Sequence, residues 1–286
     1  MTTTDSRSTE PVVARGGAVG APAAATGMSA ASGRHEGRPE GRPGVPMSRL
    51  ITVELRKMVD TRAGRWMLIA MSAISLVVVA AFLIWGPAEE ATYGTFLGLT
   101  SFPLVMLLPI VGIMAATAEW SQRTGLVTFT LEPRRGKVIT AKIVGAMILG
   151  LVVTASAFAA SAIANVISGV GDGAGTWDVT WKVALGVILG FLIYVVQGIA
   201  FGFLFLNTPM AIVASLILPT AWSIASSIVS SLEKVGAWLD LGRVTEPLFS
   251  GTMTGENWGQ LATSFSVWVL LPLAIGSWRV MTREVK

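Results

Sequence analysis

The chain has 286 residues, of which 52% are hydrophobic and 13% are charged, and its net charge is +4. A soluble domain carries about a quarter of charged residues, so this composition excludes an ordinary soluble enzyme and predicts a membrane protein. The basic excess does not indicate a nucleic-acid partner, because most lysines and arginines flank apolar stretches, and the absence of cysteine excludes disulfides and thiol chemistry.

Residues 1–46 differ in composition from the rest of the chain. They are rich in Ala, Gly, Pro, Ser, Thr and Arg, and they lack the apolar run of a cleavable signal peptide. Such a segment cannot bury enough apolar surface to fold. We expect a disordered cytoplasmic tail over 1–46 and a membrane domain over 47–286.

An amphipathic helix over 48–65 is predicted to precede the first span, with Ser48 as its N-cap. Its apolar face carries Ile51, Leu55, Met58 and Val59. Its polar face carries Thr52, Arg56, Lys57 and Asp60. This pattern is typical of an interfacial helix whose basic side chains contact lipid headgroups.

Six apolar stretches without Asp, Glu, Lys, Arg or His dominate the remainder. They cover 66–85, 93–118, 143–170, 183–206, 210–232 and 260–278. A helix needs about 20 residues to cross the hydrocarbon core of a bilayer, so each stretch predicts a transmembrane helix. The fold class is therefore an all-α membrane protein with six transmembrane helices.

The basic residues predict the orientation. Thirteen flank the ends of the spans on the side of the termini, and three lie on the opposite side. The thirteen are Arg49, Arg56, Lys57, Arg62, Arg65, Arg123, Arg134, Arg135, Lys137, Lys142, Arg279, Arg283 and Lys286, and the three are Lys182, Lys234 and Arg243. Positive residues stay inside, so both termini are expected in the cytoplasm of a multi-pass plasma-membrane protein.

The loop 119–142 is predicted to be cytoplasmic and to contain a short helix with an apolar strip of Val127, Leu131 and Leu126. It contains Gly136-Lys137, but Val138 follows where a phosphate-binding loop needs Ser or Thr. No catalytic residue, cofactor site or metal site is predicted for this chain.

Two further features concern the outer side and the spans. The segment 233–259 is expected to lie at the outer interface, with a short helix over 233–241. Asn165 and Gln197 are the strongest neutral polar groups within the spans and are candidates for a substrate path or for helix packing. Gly186, Gly190, Gly198 and Gly202 recur at spacings that favour close helix approach.

Three segments together resemble an ABC-2-type transporter permease of the actinobacterial kind. They are Glu54-Leu55-Arg56-Lys57 with Asp60-Thr61-Arg62, then Glu119-Trp120-Ser121-Gln122-Arg123-Thr124, then Thr130-Leu131-Glu132-Pro133-Arg134-Arg135 with Ala141-Lys142. The resemblance covers residues 47–286. It implies the membrane subunit of an ATP-driven exporter, paired with a separate ATPase subunit that binds ATP and magnesium, and with a second permease copy, identical or related.

The same resemblance implies roles for individual segments. The helix 48–65 is similar to the connecting helix of such permeases, 119–142 to the coupling loop that contacts the ATPase, and 233–259 to an outer re-entrant or interfacial pair. Carried over by position, the ATPase-coupling candidates are Glu119, Arg123, Thr124, Phe129, Glu132, Arg134 and Arg135.

Two other functions remain open at this point. A membrane scaffold or sensor that binds an ATPase without moving a substrate would present the same surface. A secondary transporter is less favoured, because the spans lack the ionisable groups on which proton- and ion-driven carriers depend.

Overall fold

A computed structural model describes residues 45–122, 124–171 and 173–283, and of Phe129 it describes the backbone only. Helices make up 87% of these residues, and no strand occurs among them. Nearly all of the predicted tail 1–46 and the candidate Arg123 lie outside the described residues.

The helices follow the apolar stretches of the sequence, with short connections between them. Their bounds are α1 Met47–Asp60, α2 Arg62–Trp85, α3 Tyr93–Ser121, α4 Gly125–Leu131, α5 Arg135–Val170, α6 Trp181–Phe205, α7 Thr208–Ile228, α8 Glu233–Leu239, α9 Leu241–Phe249, α10 Gly255–Phe265 and α11 Leu271–Thr282. A π-helical turn, Ser266–Leu270, joins α10 to α11 just before Pro272.

Six of these segments are long and apolar enough to cross a membrane: α2, α3, α5, α6, α7 and the continuous α10–α11 segment. The prediction of six spans is confirmed. The helices extend beyond the charge-free stretches at several ends, and α5 begins at Arg135, eight residues before residue 143. A helix does not have to end where its charge-free portion ends, so most of these bounds were too narrow, whereas α7 ends at Ile228, before the predicted residue 232.

The lead-in helix differs from its prediction in three ways. It ends at Asp60, and Arg62 already belongs to α2, whose N-cap Thr61 accepts a hydrogen bond from the Gly64 amide at 3.1 Å. Ser48 lies inside the first turn of α1 and does not cap it. The buried face is centred on Glu54 and Met58, whereas Val59, predicted to share the apolar face, is exposed.

Helices α3 and α6 form the centre of the bundle. They are the most buried spans and pack closely on each other. A side-chain carbon on Gly198 would collide with the Pro109 carbonyl of α3, and one on Gly202 would collide with Ala116. The predicted role of these glycines in close helix approach is confirmed.

The bundle has two structurally distinct ends. The α4 end carries α1, α4 and the tight turn between α6 and α7, where Leu206 adopts a left-handed conformation and Asn207 caps α7. The α9 end carries α8 and α9, two helices in a segment where a single short helix was predicted. Helix α9 buries Leu241, Val244 and Leu248 against the bundle, and Leu248 lies against Gly186 of α6.

Candidate functional site

Four charged side chains form a closed ring at the α4 end. Lys142 Nζ lies 2.8 Å from Glu54 Oε2 and 2.8 Å from Glu119 Oε2. Lys57 Nζ lies 2.7 Å from Glu54 Oε1 and 3.0 Å from Glu119 Oε1. Each carboxylate therefore contacts both ammonium groups, and we call this arrangement the charge ring.

The charge ring is largely withdrawn from solvent. The side chains of Lys142, Glu119 and Glu54 are 4%, 3% and 7% exposed, and that of Lys57 is 35% exposed. Lys142 also donates to the Ala115 carbonyl at 2.9 Å, which satisfies all three of its N–H groups. Buried charges are stable only when they are paired and hydrogen-bonded, and the closed ring meets both conditions.

Lys57 is the most accessible member of the ring. Burial alone would lower the pKa of Lys57, but the carboxylates of Glu119 and Glu54 outweigh burial, and the pKa lies above its ordinary value. Lys57 is therefore a cation at neutral pH. This side chain was predicted to contact lipid headgroups from the polar face of the lead-in helix, whereas it turns toward the bundle and pairs with two carboxylates.

The ring connects three elements that are distant in the sequence. Glu54 and Lys57 are one turn apart on α1, Glu119 lies in the last turn of α3, and Lys142 lies two turns into α5. The ion pairs of the ring therefore hold together the lead-in helix, the second span and the third span at the edge of the apolar bundle.

Glu119 was a candidate for contact with an ATPase, and it lies inside the ring instead of on the surface. Its carboxylate contacts Lys57 and Lys142 of the same chain. A second candidate, Glu132, is also buried, and its carboxylate accepts hydrogen bonds from the backbone amides of Val45 at 3.1 Å and Arg134 at 3.2 Å. Glu132 therefore positions the backbone just before α1 and just after α4, whereas Glu119 binds side chains of α1 and α5.

Arg135 fixes the start of α5 to the end of the last helix. Its Nη1 donates to the carbonyls of Val280, Met281 and Arg283 at 2.8, 3.2 and 2.7 Å. These carbonyls lie at the C-terminal end of α11, where helix carbonyls lack partners within the helix. A guanidinium group at this place satisfies them and complements the negative end of the helix dipole.

Helix α4 presents an apolar face to the outside of the chain. Leu126, Val127 and Leu131 are 53%, 61% and 74% exposed. At about 100° per residue they occupy one side of this seven-residue helix. The candidates Thr124 and Arg134 border α4 and are exposed as well. The candidate Phe129 belongs to α4, but its side chain lies outside the described part of the chain.

The two neutral polar candidates are both buried but lie in different places. Asn165 is near the α9 end of α5, where its Nδ2 donates to the Gly175 carbonyl at 3.1 Å and its Oδ1 has no hydrogen-bond partner within the described residues. Gln197 lies on α6, one residue before Gly198. The structure therefore brings neither of them together with the charge ring.

Sequence reasoning missed the charge ring, although a signal for it was present. Glu54 interrupts the apolar series Ile51, Leu55 and Met58 on the buried side of α1. Glu119 and Lys142 directly flank the charge-free stretches of the second and third spans. Two spans thus end beside residues of opposite charge, and a third charge lies on the apolar face of α1. Together these charges indicate a buried ionic contact.

The charge ring links three elements of the bundle at the α4 end. The ring is electroneutral, and its ionic groups are occupied by one another. Across residues 45–122, 124–171 and 173–283, there is no group of three or more His, Cys, Asp or Glu that could hold a metal ion. The described site thus joins a rigid internal contact to an exposed apolar helix.

No protein-family model matches the chain, and no curated protein matches it at a significant level. The fold itself is that of an all-α, multi-pass membrane protein with six spans.

Proposed function

We propose that this chain is the membrane-spanning permease subunit of an ATP-driven exporter of the ABC-2 type. It would lie in the plasma membrane with the α4 end in the cytoplasm, form part of a substrate path, and be driven by a separate ATPase subunit. The proposal rests on the resemblance of three segments to such permeases, on the distribution of basic residues, and on the exposed apolar face of α4.

The exposed face of α4 is the observation that carries the proposal. Three large apolar side chains stand free on a short helix at the end that holds most of the basic residues. Exposed apolar patches beside polar rims are typical of protein-binding surfaces, and Thr124 and Arg134 supply such a rim.

The charge ring supports a coupling role for this end of the molecule. A force applied to α4 reaches α3 and α5 directly, since the three helices are consecutive, and reaches α1 through Glu54 and Lys57. ATP-driven motion of a bound partner would therefore move the lead-in helix and two spans together.

A second permease copy is part of the proposal. Helices α2 and α7 are the least buried spans, and both expose apolar side chains along their length. Contact with another copy would cover part of this surface and close a path between two bundles. Because the chain contains no cysteine, an Ile74→Cys chain mixed with a Val213→Cys chain can form a disulfide only between two chains, and it should do so if the two helices meet across a dimer.

The ATPase contact is tested by changing the face of α4. A photo-crosslinking residue at Leu131 should capture a protein with a Walker A motif in cells that express both subunits. The triple variant Leu126→Ser, Val127→Ser, Leu131→Ser should then abolish co-purification of that ATPase. The matched control Val229→Ser, Val235→Ser alters two exposed apolar residues of the α9 end and should leave the complex intact.

Transport separates the proposal from its rivals. The purified complex in vesicles should move a lipophilic dye outward only when ATP is supplied. A complex that forms but shows neither flux nor substrate-stimulated ATP hydrolysis is a scaffold or sensor. Flux that follows a proton or sodium gradient without ATP identifies a secondary transporter.

A further inference from the structure

A cavity opens beside the charge ring, between α1, α2, α3 and α7. Its volume is about 250 Å³, and Glu54 and Lys57 contribute to its wall. The remaining wall is mostly apolar and includes Met58, Met67, Leu68, Ile110, Met114 and Ile212. We propose that this cavity binds the headgroup of a neutral, single-chain amphiphile that carries acceptor oxygens, with Lys57 as the donor.

Lys57 is the ring member that can bind an additional group. An ammonium group has three N–H donors, and Lys142 uses all three on Glu54, Glu119 and the Ala115 carbonyl. Lys57 donates to two carboxylates within the described part of the chain, which leaves its third N–H. Lys57 also lines the cavity and is partly exposed, so this donor can be met by a ligand oxygen.

The charge balance of the ring selects a neutral ligand. Two carboxylates and two ammonium groups already cancel. An anionic or cationic headgroup would bring one unpaired charge into a largely apolar wall, which is strongly disfavoured away from bulk water. An ester or hydroxyl oxygen meets the free donor without disturbing this balance.

Hydroxyl groups in the wall of this cavity fit the same kind of headgroup. Thr208 Oγ1 lies 2.7 Å from Thr117 Oγ1 and 2.7 Å from Ser121 Oγ, and all three residues line the cavity. Hydroxyls both donate and accept hydrogen bonds, so they complement a glycerol-like headgroup. Besides Glu54 and Lys57, the polar groups of the wall are thus neutral: the hydroxyls of Thr61, Thr117, Ser121 and Thr208 and the amide of Gln122.

A second cavity provides a place for the acyl chain. It lies between α2, α3 and α5, has a volume of about 450 Å³, and shares Leu68 and Leu149 with the first. Its wall is again mostly apolar, with Met71, Val79 and Leu104 among its residues. We place the chain of the amphiphile along α2, from the ring into this second cavity.

The inference concerns binding and does not depend on the export function. The test uses the purified protein in nanodiscs of dioleoylphosphatidylcholine and tritiated monooleoylglycerol as the probe, with empty nanodiscs as background. We expect saturable binding of monooleoylglycerol. Oleic acid and oleylamine have acyl chains of the same length, and we expect each to displace the probe at least about tenfold more weakly than unlabelled monooleoylglycerol does, because each adds an unpaired charge. Equal competition by either charged amphiphile, or signal no higher than that of empty nanodiscs, would overturn the proposal.

Matched variants locate the site. Met114→Trp fills the first cavity, whereas Met106→Trp places the same side chain on an exposed position of the same helix. We expect the first variant to lose binding at least about tenfold and the second to bind as the unchanged protein does. If Met114→Trp fails to fold, Ala118→Leu takes its place, because Ala118 also lines the first cavity and a larger side chain there fills it. Equal effects of the 114 and 106 variants would show that the probe contacts only the outer surface, as a bilayer lipid does, and would overturn the site.

The length of the acyl chain tests the second cavity. Monooctanoylglycerol has the same headgroup with a shorter chain and buries less apolar surface. We expect it to bind at least about tenfold more weakly than monooleoylglycerol after correction for partition into empty nanodiscs. Equal corrected affinities would contradict the placement of the chain in the second cavity.

Discussion

The two ends of this bundle are held together by different kinds of interaction. At the α4 end, four charges from three distant elements close a buried ring. At the α9 end, neutral packing and local caps dominate: Leu248 lies on Gly186, and the Leu239 carbonyl accepts from Trp268 Nε1 at 2.6 Å. A charge ring fails as a unit when one member is lost, whereas neutral contacts fail one at a time.

The largest effect is expected from removing one charge of the ring. Lys142→Met leaves two carboxylates against a single lysine, and we expect a loss of about 3–5 kcal/mol in the free energy of unfolding. Unfolding in SDS, followed by tryptophan fluorescence, measures this loss. The double variant Lys142→Met, Glu119→Gln retains one carboxylate and one ammonium and should recover part of the stability. A double variant that is no more stable than Lys142→Met would argue against the ring as a charge-balanced unit.

A smaller effect is expected from adding one carbon at the α9 end. In Gly186→Ala, the new methyl group meets the Leu248 carbonyl, so α9 must shift away from α6, and overpacking of this kind costs about 1–3 kcal/mol. Gly98→Ala is the matched control, because a carbon at Gly98 meets nothing within 4 Å. The same unfolding assay compares the two variants. Equal stabilities would contradict the close approach of α9 to α6.

A local cap at the α9 end should contribute less. Asp178 accepts hydrogen bonds from the Gly94 amide at 2.7 Å and the Thr92 hydroxyl at 2.8 Å, at the start of α3. Asp178→Ala should lower the free energy of unfolding by about 1 kcal/mol, as the loss of a helix cap does. Amide hydrogen exchange of this variant should be faster only in the first turn of α3. Global loss of protection would show that this contact stabilises more than one helix end.

The smallest effect on stability is expected from the exposed face of α4. Leu131→Ser changes a side chain that is 74% exposed, so the free energy of unfolding should stay within about 0.5 kcal/mol. A clear loss of stability in the isolated protein would show that Leu131 is covered within the chain or by a second copy. An unchanged stability makes any loss of partner binding in this variant a surface effect.

The six spans could be predicted because length and the absence of charge are properties of the stretch itself. Helix α9 was also within reach, since Leu241, Val244 and Leu248 recur at helical spacing, although Gly242 and Pro247 disfavour a helix in this segment. For the ring, the charges beside two spans and on the apolar face of α1 indicate a buried ionic contact, but they do not identify which residues pair with each other. Glu54 and Lys142 are 88 residues apart, and a periodic pattern on α1 carries no information about a partner on α5.

The site candidates divide along the same line. An apolar strip on a short helix in a charged loop could be predicted from the sequence, and its residues Leu126, Val127 and Leu131 are exposed in the structure. Glu119 and Glu132 were candidates for the ATPase contact by their positions in the resemblance to such permeases, and such a position does not say whether a side chain is buried. Their burial depends on Lys57, Lys142 and two backbone amides that only the folded chain brings to them.

The order of the ring along the chain bears on how the protein is made. Glu54, Lys57 and Glu119 are synthesised before Lys142. A nascent chain that ends before residue 142 therefore carries two carboxylates and one ammonium at this place, a surplus negative charge beside two apolar spans. Translation of Lys142 supplies the missing charge, so the ring that holds the lead-in helix on the bundle can close only after this residue has been synthesised.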